Sequence, residues 1–298
     1  MYSLKDIGIT QSQIKNFMNC PMKFSYFTQR LERVGKKGRN TGFGSIMHAT
    51  LENIYINRGL TSKEITETIE SYCKKNISQL TGLVEELELV KLQVEVVAKE
   101  YQRIYSKDFK KWKVLFVERE GEISIDNILH RTKIDLGLEI MGKIYTLDHK
   151  TSSRIDETSL EKALAFDFQH LYYGYCYEQE TGKKVAGCYH NVIRNPGLKY
   201  SGSFSDYSKR LQNEIRLRPK HYFKRYQIIY TNKDRKDFEY QLHYILSNIS
   251  TTIKNNHFYR NSSHCNIYGE CEFLDLCSSG STTGYTVRDK YFAELESV

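Results

Sequence analysis

The chain is 298 residues long, 40% hydrophobic and 27% charged, with 3 prolines and a formal net charge of +8, a balance that excludes a disordered polypeptide and allows a substantial core. The 44 Lys and Arg against 36 Asp and Glu favour a polyanionic partner without identifying one. No run of about 18 apolar residues is present to cross a membrane, the first residues lack a signal-peptide stretch, and seven cysteines, an odd number, argue against a disulfide framework and for a cytoplasmic setting where thiols bind metal or fill the core.

Thr10 followed by Gln13 makes a capping-box pattern, and Ile14, Phe17 and Met18 continue at helical spacing, so a helix is predicted from about residue 11 with Cys20 near its end. After a polar, glycine-bearing stretch from Gly35 to Gly44, the segment SIMHATLENIYI predicts a second helix with Ile46, Ala49, Leu51 and Ile54 inward and His48 in its first turns. Residues 61–112 lack proline, are rich in Glu, Lys, Leu and Val at helical period, and read as a helical insertion. The pattern then changes to VLFVEREGEISI, ILHRTKIDLGLEI and KIYTLDHKT, a three-stranded meander with a turn at Met141-Gly142. A helix over about 159–180, a strand at KVAGCYHNVIR, a strand over 222–231 and a helix over 233–256 complete an α/β order. The SSGSTTG stretch at 278–284 reads as loosening the last residues from the body. The densest basic run, Arg216, Arg218, Lys220, Lys224 and Arg225 interleaved with His221, Tyr222 and Phe223, suits phosphates and base stacking, with a solvated surface stretch as the alternative.

Asp135 lies in KIDL, and thirteen residues later Asp148 stands two before Lys150 in LDHKT. On a strand, positions i and i+2 share a face, so Asp148 and Lys150 point together, and a neighbouring strand brings Asp135 beside them. Carboxylates that hold Mg²⁺ or Mn²⁺ against a phosphate, with a lysine to orient water or offset charge, are what phosphodiester hydrolysis requires. A lone Asp-x-Lys triplet is usually surface decoration; here it ends an apolar strand, follows a second strand with an apolar-flanked Asp, and precedes a helix bearing FQHLYYGY. Glu118 and Glu120 alternate on the preceding strand and read as solvated, with water positioning or metal binding as the alternative.

These segments resemble, in order, the PD-(D/E)XK nucleases of the RecB-like type. ITQSQIKNFMNCPMKFSYF resembles that family's N-terminal helix and Cys-Pro element, GFGSIMHATLE its glycine-to-histidine helix, KIDL and LDHKT its two acidic motifs, and Gln169 to Tyr173 its Q-x-x-x-Y helix. The resemblance implies His48, Asp135, Asp148 and His149 as metal ligands, Asp135, Asp148 and Lys150 as catalytic, and Gln169 and Tyr173 lining the DNA side. One departure is Thr132-Lys133 before Ile-Asp, where the family usually has Gly-Arg.

Cys265, Cys271 and Cys277 form C-x5-C-x5-C, and Cys20 lies almost the whole chain away; four thiolates complete a cubane cluster or a zinc site. Relatives with iron–sulfur clusters place one cysteine before the nuclease core and three after it, which implies a 4Fe–4S cluster here, although their trio usually opens with C-x2-C. Cys73, Cys176 and Cys188 lack ligand spacing and are expected as buried small hydrophobes.

The expected architecture is therefore an α/β restriction-endonuclease-like core, a mixed sheet flanked by helices, with a four-cysteine cluster joining the ends. Residues 1–42 form the N-terminal helical segment, 43–60 and 113–256 the nuclease core, 61–112 the insertion, and 257–298 the cluster segment and tail. The implied function is a metal-dependent DNA exonuclease in recombination, repair or phage DNA processing, in a bacterial or phage-infected cell, acting on single-stranded DNA or free ends with protein partners from recombination or replication. A non-cleaving DNA-binding subunit and a structure-specific endonuclease are the alternatives, and the sequence leaves the oligomeric state open.

Overall fold

The computed structural model of the chain describes residues 2–34, 39–77, 80, 86–155, 160–267, 269–292 and 295, with the backbone alone at 39–41. Parts of the glycine-bearing stretch (35–38), the helical insertion (78–79, 81–85), the segment before the motif helix (156–159), the cysteine segment (268) and the tail (293–294, 296–298) lie outside the described residues.

Strand β1 (Ile9–Thr10) runs into α1 (Gln11–Asn19) through the capping box read from the sequence. The Gln13 N–H donates to Thr10 Oγ1 at 3.4 Å and the Thr10 N–H to Gln13 Oε1 at 3.3 Å, satisfying two donors that a helix start leaves open. Cys20 ends α1 and Pro21 opens α2 (Pro21–Thr28), the position where a missing N–H is harmless. Strand β2 (Leu31–Arg33) and α3 (Arg39–Ile56) follow, then α4 (Ser62–Lys75), α5 (Leu87–Ile104) and α6 (Asp108–Lys111).

Strands β3 (Lys113–Ile125), β4 (Ile128–Ile140) and β5 (Lys143–Ser152) form the expected antiparallel meander. Its loops are Asp126-Asn127 (φ 53° and 60°) and Met141-Gly142 (φ 51° and 75°), the two-residue turns with positive φ that match strand twist. The helix expected over 159–180 is instead α7 (Leu160–Leu164) and α8 (Phe168–Thr181). Asp167, in extended conformation, accepts the His170 N–H at 3.1 Å, so it caps a new helix and ends the turn before it. Strand β6 (Val185–Arg194) runs parallel to β5; α9 (Phe204–Leu217), α10 (Pro219–Tyr222), β7 (Phe223–Ile229), antiparallel to β6, and α11 (Asn232–Asn255) follow. The C-terminal segment carries α12 (Leu274–Ser279) and β8 (Tyr285–Val287).

The main sheet has the order β1-β4-β5-β6-β7, with β3 on β4. One apolar layer joins α3, α4, α5 and α9 to Leu136, Leu138, Leu147 and Ile193; the other joins α1, α8 and α11 to Ile134, Cys188, Val192 and Ile228. Alternation along the strands explains the division, because neighbouring residues face opposite layers. Gly187 on β6 lies so close to β7 that a Cβ would sit 1.9 Å from the Ile228 carbonyl oxygen. Gly187→Ala is therefore expected to destabilise the fold by about 1–3 kcal/mol, seen as a lower urea midpoint at unchanged slope.

The tail does not hang loose as its Ser/Gly/Thr stretch suggests. Strand β8 pairs antiparallel with β2, Gly280 and Gly284 turn the chain back at positive φ, and Phe273 stacks on Tyr285 and meets Phe27 edge-on, with ring centroids 5.9 and 5.3 Å apart. Lys23–Glu272, Arg33–Glu270 and Arg33–Asp275 pairs add to the contact. The polar stretch is a loop between two anchored segments, because the aromatic residues on either side have partners near the N-terminus.

Candidate active site

The site sits where the sheet forks. Among the described residues the β4–β5 ladder runs from Ile140↔Lys143 to Leu136↔Leu147 and stops, while β5 continues beside β6 to Ser152↔Arg194. Asp135 and Asp148 are the next facing pair beyond the last rung. There the Asp135 carboxylate takes the place of a backbone partner and accepts the His149 N–H at 2.8 Å. Two residues on, Lys150 donates to Asp148 Oδ1 at 3.0 Å, and Gln169 from α8 donates to the same oxygen at 2.9 Å. Tyr173, one helical turn after Gln169, hydrogen bonds to it, and burial followed by the charges of Asp148 and Asp135 holds its hydroxyl neutral by raising its pKa.

Helix α3 closes the other side. A Cβ on Gly44 would lie 2.8 Å from Thr151 Oγ1, so the missing side chain lets the start of the helix rest on the end of β5. His48 Nδ1 is thereby brought to 3.7 Å from Asp135 Oδ2. Glu118 joins them: one ligand atom from each of His48, Glu118 and Asp135 lies within 4.8 Å of the others. Glu118 is in mid-strand at φ 46°, a left-handed conformation costly for a side-chain-bearing residue, and pairs with Lys133 at 3.2 Å. It is thus gathered with the expected ligands, whereas Glu120 is exposed. Lys133, the departure in the first acidic motif, supplies the local cation.

The ring of His149 is not brought to the carboxylates. It alternates to the opposite face from Asp148 and Lys150, hydrogen bonds through Nδ1 to the Asn191 side chain at 2.9 Å and packs near Tyr55 and Tyr101, with centroids at 5.6 and 6.2 Å. Its backbone N–H reaches Asp135, and its ring meets that of His48 edge-on with centroids 6.1 Å apart. On the face of Asp148, two residues absent from the sequence-based set are close: His170 of α8 and His190 of β6, whose facing nitrogens are 2.8 Å apart.

Charge is distributed unevenly. Burial first, then the Asp148 charge, pushes the Asp135 carboxyl up to about 7. For Asp148, burial pushes upward but Lys150 and His170 outweigh it and hold it below the usual carboxylate range. Burial opposes the Lys150 charge while Asp148 and Asp135 raise its pKa overall. Glu118 is raised by burial and by Asp135, and burial lowers His48, leaving a neutral imidazole. A carboxylate cluster that resists full ionisation, beside a neutral histidine, is the donor set a divalent cation relieves. In cation-free protein the Asp135 penalty is fullest above pH 7 and vanishes toward the unfolded value of about 3.9. Lowering the pH from 8 to 5 should therefore raise the melting temperature of the metal-free wild type relative to Asp135→Asn. The buried histidines, which oppose folding at low pH, are common to both proteins, and saturating Mn²⁺ should abolish the difference.

The basic run is largely committed internally. Arg216 pairs with Glu100 at 2.9 Å, Arg218 pairs with Glu214, and Arg225 bonds to Asp108 at 2.5 Å beneath the rings of Tyr105 and Trp112, 3.8 and 4.9 Å from their centroids. Lys220 is exposed.

The four cysteines expected to join are not assembled as a closed centre: among the described residues, no three of their sulfurs lie within 4.8 Å of one another. Their segments nevertheless meet. The Asn261 N–H points at Cys20 Sγ at 3.4 Å, the Asn261 side chain donates to Asn19 O at 2.8 Å, and the Met22 N–H donates to Tyr259 O at 3.1 Å. Cys265 is raised by desolvation and then by the charges of Cys271, Cys20 and Cys277. Cys73, Cys176 and Cys188 are buried, as expected.

The family model for the PD-(D/E)XK nuclease superfamily matches residues 8–278. Among solved structures, a candidate exonuclease from Eubacterium rectale shares the fold with a TM-score of 0.51 at 13% identity, over 93% of this chain and 94% of that one. Protein VC1899 from Vibrio cholerae, 12% identical over 64% of this chain and 59% of its own, has a TM-score of 0.19, too slight a likeness to describe a shared fold. No curated protein matches the sequence. With the match spanning the forked sheet and every carboxylate at its opening, the chain belongs to the PD-(D/E)XK nuclease superfamily.

Proposed function

We propose that this nuclease is a metal-dependent DNA exonuclease of the RecB-like branch, acting at ends or single strands in recombination, repair or phage DNA processing, with a cysteine-bound cluster clasping its termini. The observation that carries the catalytic reading is the gathering of His48, Glu118 and Asp135 at the open edge of β5, beside the hydrogen-bonded pair Asp148 and Lys150. His48, Glu118, Asp135 and Asp148 would hold Mg²⁺ or Mn²⁺, the imidazole favouring manganese. When bound there, such an ion would supply Lewis acidity to the scissile phosphate and would make the attacking water more acidic.

The chain's own groups do the rest. Lys150, kept charged by two carboxylates, faces the position where negative charge grows on the phosphate. Gln169 and Lys150 both grip Asp148 Oδ1, which fixes the carboxylate's orientation. The Tyr173 hydroxyl, un-ionised, can donate to a phosphate oxygen or base edge. The exonuclease reading rests on the motif resemblance and agrees with the description of the E. rectale structure.

For the clasp, the paired β2 and β8 and the contacts around Cys20 support a junction of the two ends. Burial first, then Cys277 and Cys20, pushes the Tyr26 hydroxyl up to about 12, so thiols from both ends share one environment. The choice of a 4Fe–4S cluster over zinc rests on the motif resemblance. The same reading implies a cytoplasmic setting; no described helix is long and apolar enough to cross a membrane.

End-labelled linear and closed circular single-stranded DNA in Mn²⁺ separate this function from its rivals. An exonuclease degrades the linear strand and leaves circles whole. Opened circles would assign an endonuclease, and survival of both substrates would assign a non-cleaving DNA-binding subunit.

A further inference from the structure

Behind the catalytic carboxylate lies a second group of metal-capable atoms. Asp148 on β5 is the register neighbour of His190 on β6, and His170 reaches the same point from the first turn of α8, which the Asp167 cap holds in place. The three residues are 4%, 8% and 2% exposed, respectively. His170 Nε2 and His190 Nδ1 are 2.8 Å apart, His190 Nδ1 and Asp148 Oδ2 are 3.9 Å apart, and one ligand atom from each of the three residues lies within 4.8 Å of the others.

The two oxygens of Asp148 have different surroundings. Oδ1 accepts from both Lys150 and Gln169, whereas Oδ2, the oxygen turned toward the histidines, has no donor among the described residues. At 3.9 Å, His190 Nδ1 is beyond hydrogen-bond reach of it. A buried carboxylate oxygen without a donor is expensive, and a histidine pair could have supplied one by turning a ring. Instead both rings aim a nitrogen at the same small volume. In this structure one of the two facing nitrogens donates a hydrogen bond to the other; a tautomer shift that moves this proton to an outer nitrogen would leave two lone pairs facing the carboxylate's negative oxygen.

We propose that Asp148, His170 and His190 form a second, fully buried site for a first-row divalent transition-metal ion, with Asp148 shared between this inner site and the open one. Two imidazoles and one carboxylate select manganese, iron or zinc over magnesium, which prefers oxygen ligands and keeps its water. The inner ion satisfies Oδ2 and locks the orientation in which Oδ1 meets Lys150 and Gln169. Its role is positioning, and its existence does not depend on the nuclease reading.

The test reads metal binding and no cleavage. His48→Ala removes the imidazole of the outer site, and excess Mg²⁺ then covers the outer carboxylates. Under those conditions the full chain should still bind one equivalent of Mn²⁺, seen as loss of the free-ion paramagnetic resonance signal, and spin-echo modulation of the bound ion should show coupling to imidazole nitrogen. Adding His170→Gln or His190→Gln should remove that equivalent. The proposal is overturned if the folded His48→Ala protein binds no Mn²⁺ in excess Mg²⁺, if the bound ion shows no nitrogen coupling, or if both double variants retain it. The nitrogen coupling keeps the test decisive even where a double variant fails to fold. Absence of DNA cleavage by the wild-type chain, alongside a His48→Ala variant that passes this test, would sink the proposed function and leave the inner site standing.

Discussion

Lys150→Ala should lower the single-turnover rate of DNA cleavage by on the order of 10²–10³-fold, the scale of losing one preorganised group that meets transition-state charge, while changing DNA affinity little. Lys150 acts at one phosphate, and affinity is spread over many. The side chain has a second effect. Its ammonium leads the influences that offset burial and hold Asp148 below the usual carboxylate range, so without it Asp148 protonates more readily, and residual activity should need a higher pH. Lys150→Arg should recover only part of the rate, since a planar fork replaces a compact point charge. Rapid-quench rates across pH in saturating Mn²⁺, with affinity from fluorescence anisotropy in EDTA, check each part. An unchanged rate in Lys150→Ala would remove the residue from the chemistry.

The second large effect concerns the junction of the ends. Wild-type protein prepared without oxygen should be brown, and Cys20→Ser should lose the colour and the iron. Its melting temperature should fall by roughly 4–20 °C, taking a cross-link as worth about 2–5 kcal/mol and about 2–4 °C per kcal/mol. Cys20 is the discriminating position because it sits between α1 and α2, and no other cysteine precedes the nuclease core. Serine at Cys73, which is buried among apolar residues, should leave the colour intact. Stoichiometric zinc in a colourless preparation would replace the cluster by a zinc clasp; full iron content in Cys20→Ser would remove Cys20 from the site.

Much of this architecture is legible in the amino-acid sequence, for local reasons. The Thr10–Gln13 box, the two-residue turns and the period-2 strands depend on neighbours in sequence, and Asp148 and Lys150 share a face through simple alternation. The same alternation explains His149: adjacent to Asp148, its ring had to point to the other layer. Glu118 was also within reach. Counting back from the Asp126-Asn127 turn in step with Ile125↔Ile128 places it opposite Asp135, although its left-handed backbone depends on tertiary context. His170 and His190 are different, because their meeting depends on how α8 docks across β6. The tail's pairing is equally non-local: β2 and β8 lie at opposite ends of the chain, and the Ser/Gly-rich loop between their anchors masks the contact. The basic run shows the limit of reading charge from sequence, since Glu100 and Asp108, far away along the chain, and Glu214, one helical turn before Arg218, absorb three of its cations.

The assignment of the active site stands most directly on one comparison: release of nucleotides from end-labelled linear single-stranded DNA by the wild type and by Asp148→Ala, each folded, with Mn²⁺, with Mg²⁺ and with EDTA. It predicts cleavage by the wild type with either cation, none in EDTA, and none by Asp148→Ala under any condition. Cleavage by Asp148→Ala at the wild-type rate, or an inert wild type in both cations, would contradict the placement of the chemistry at the forked sheet.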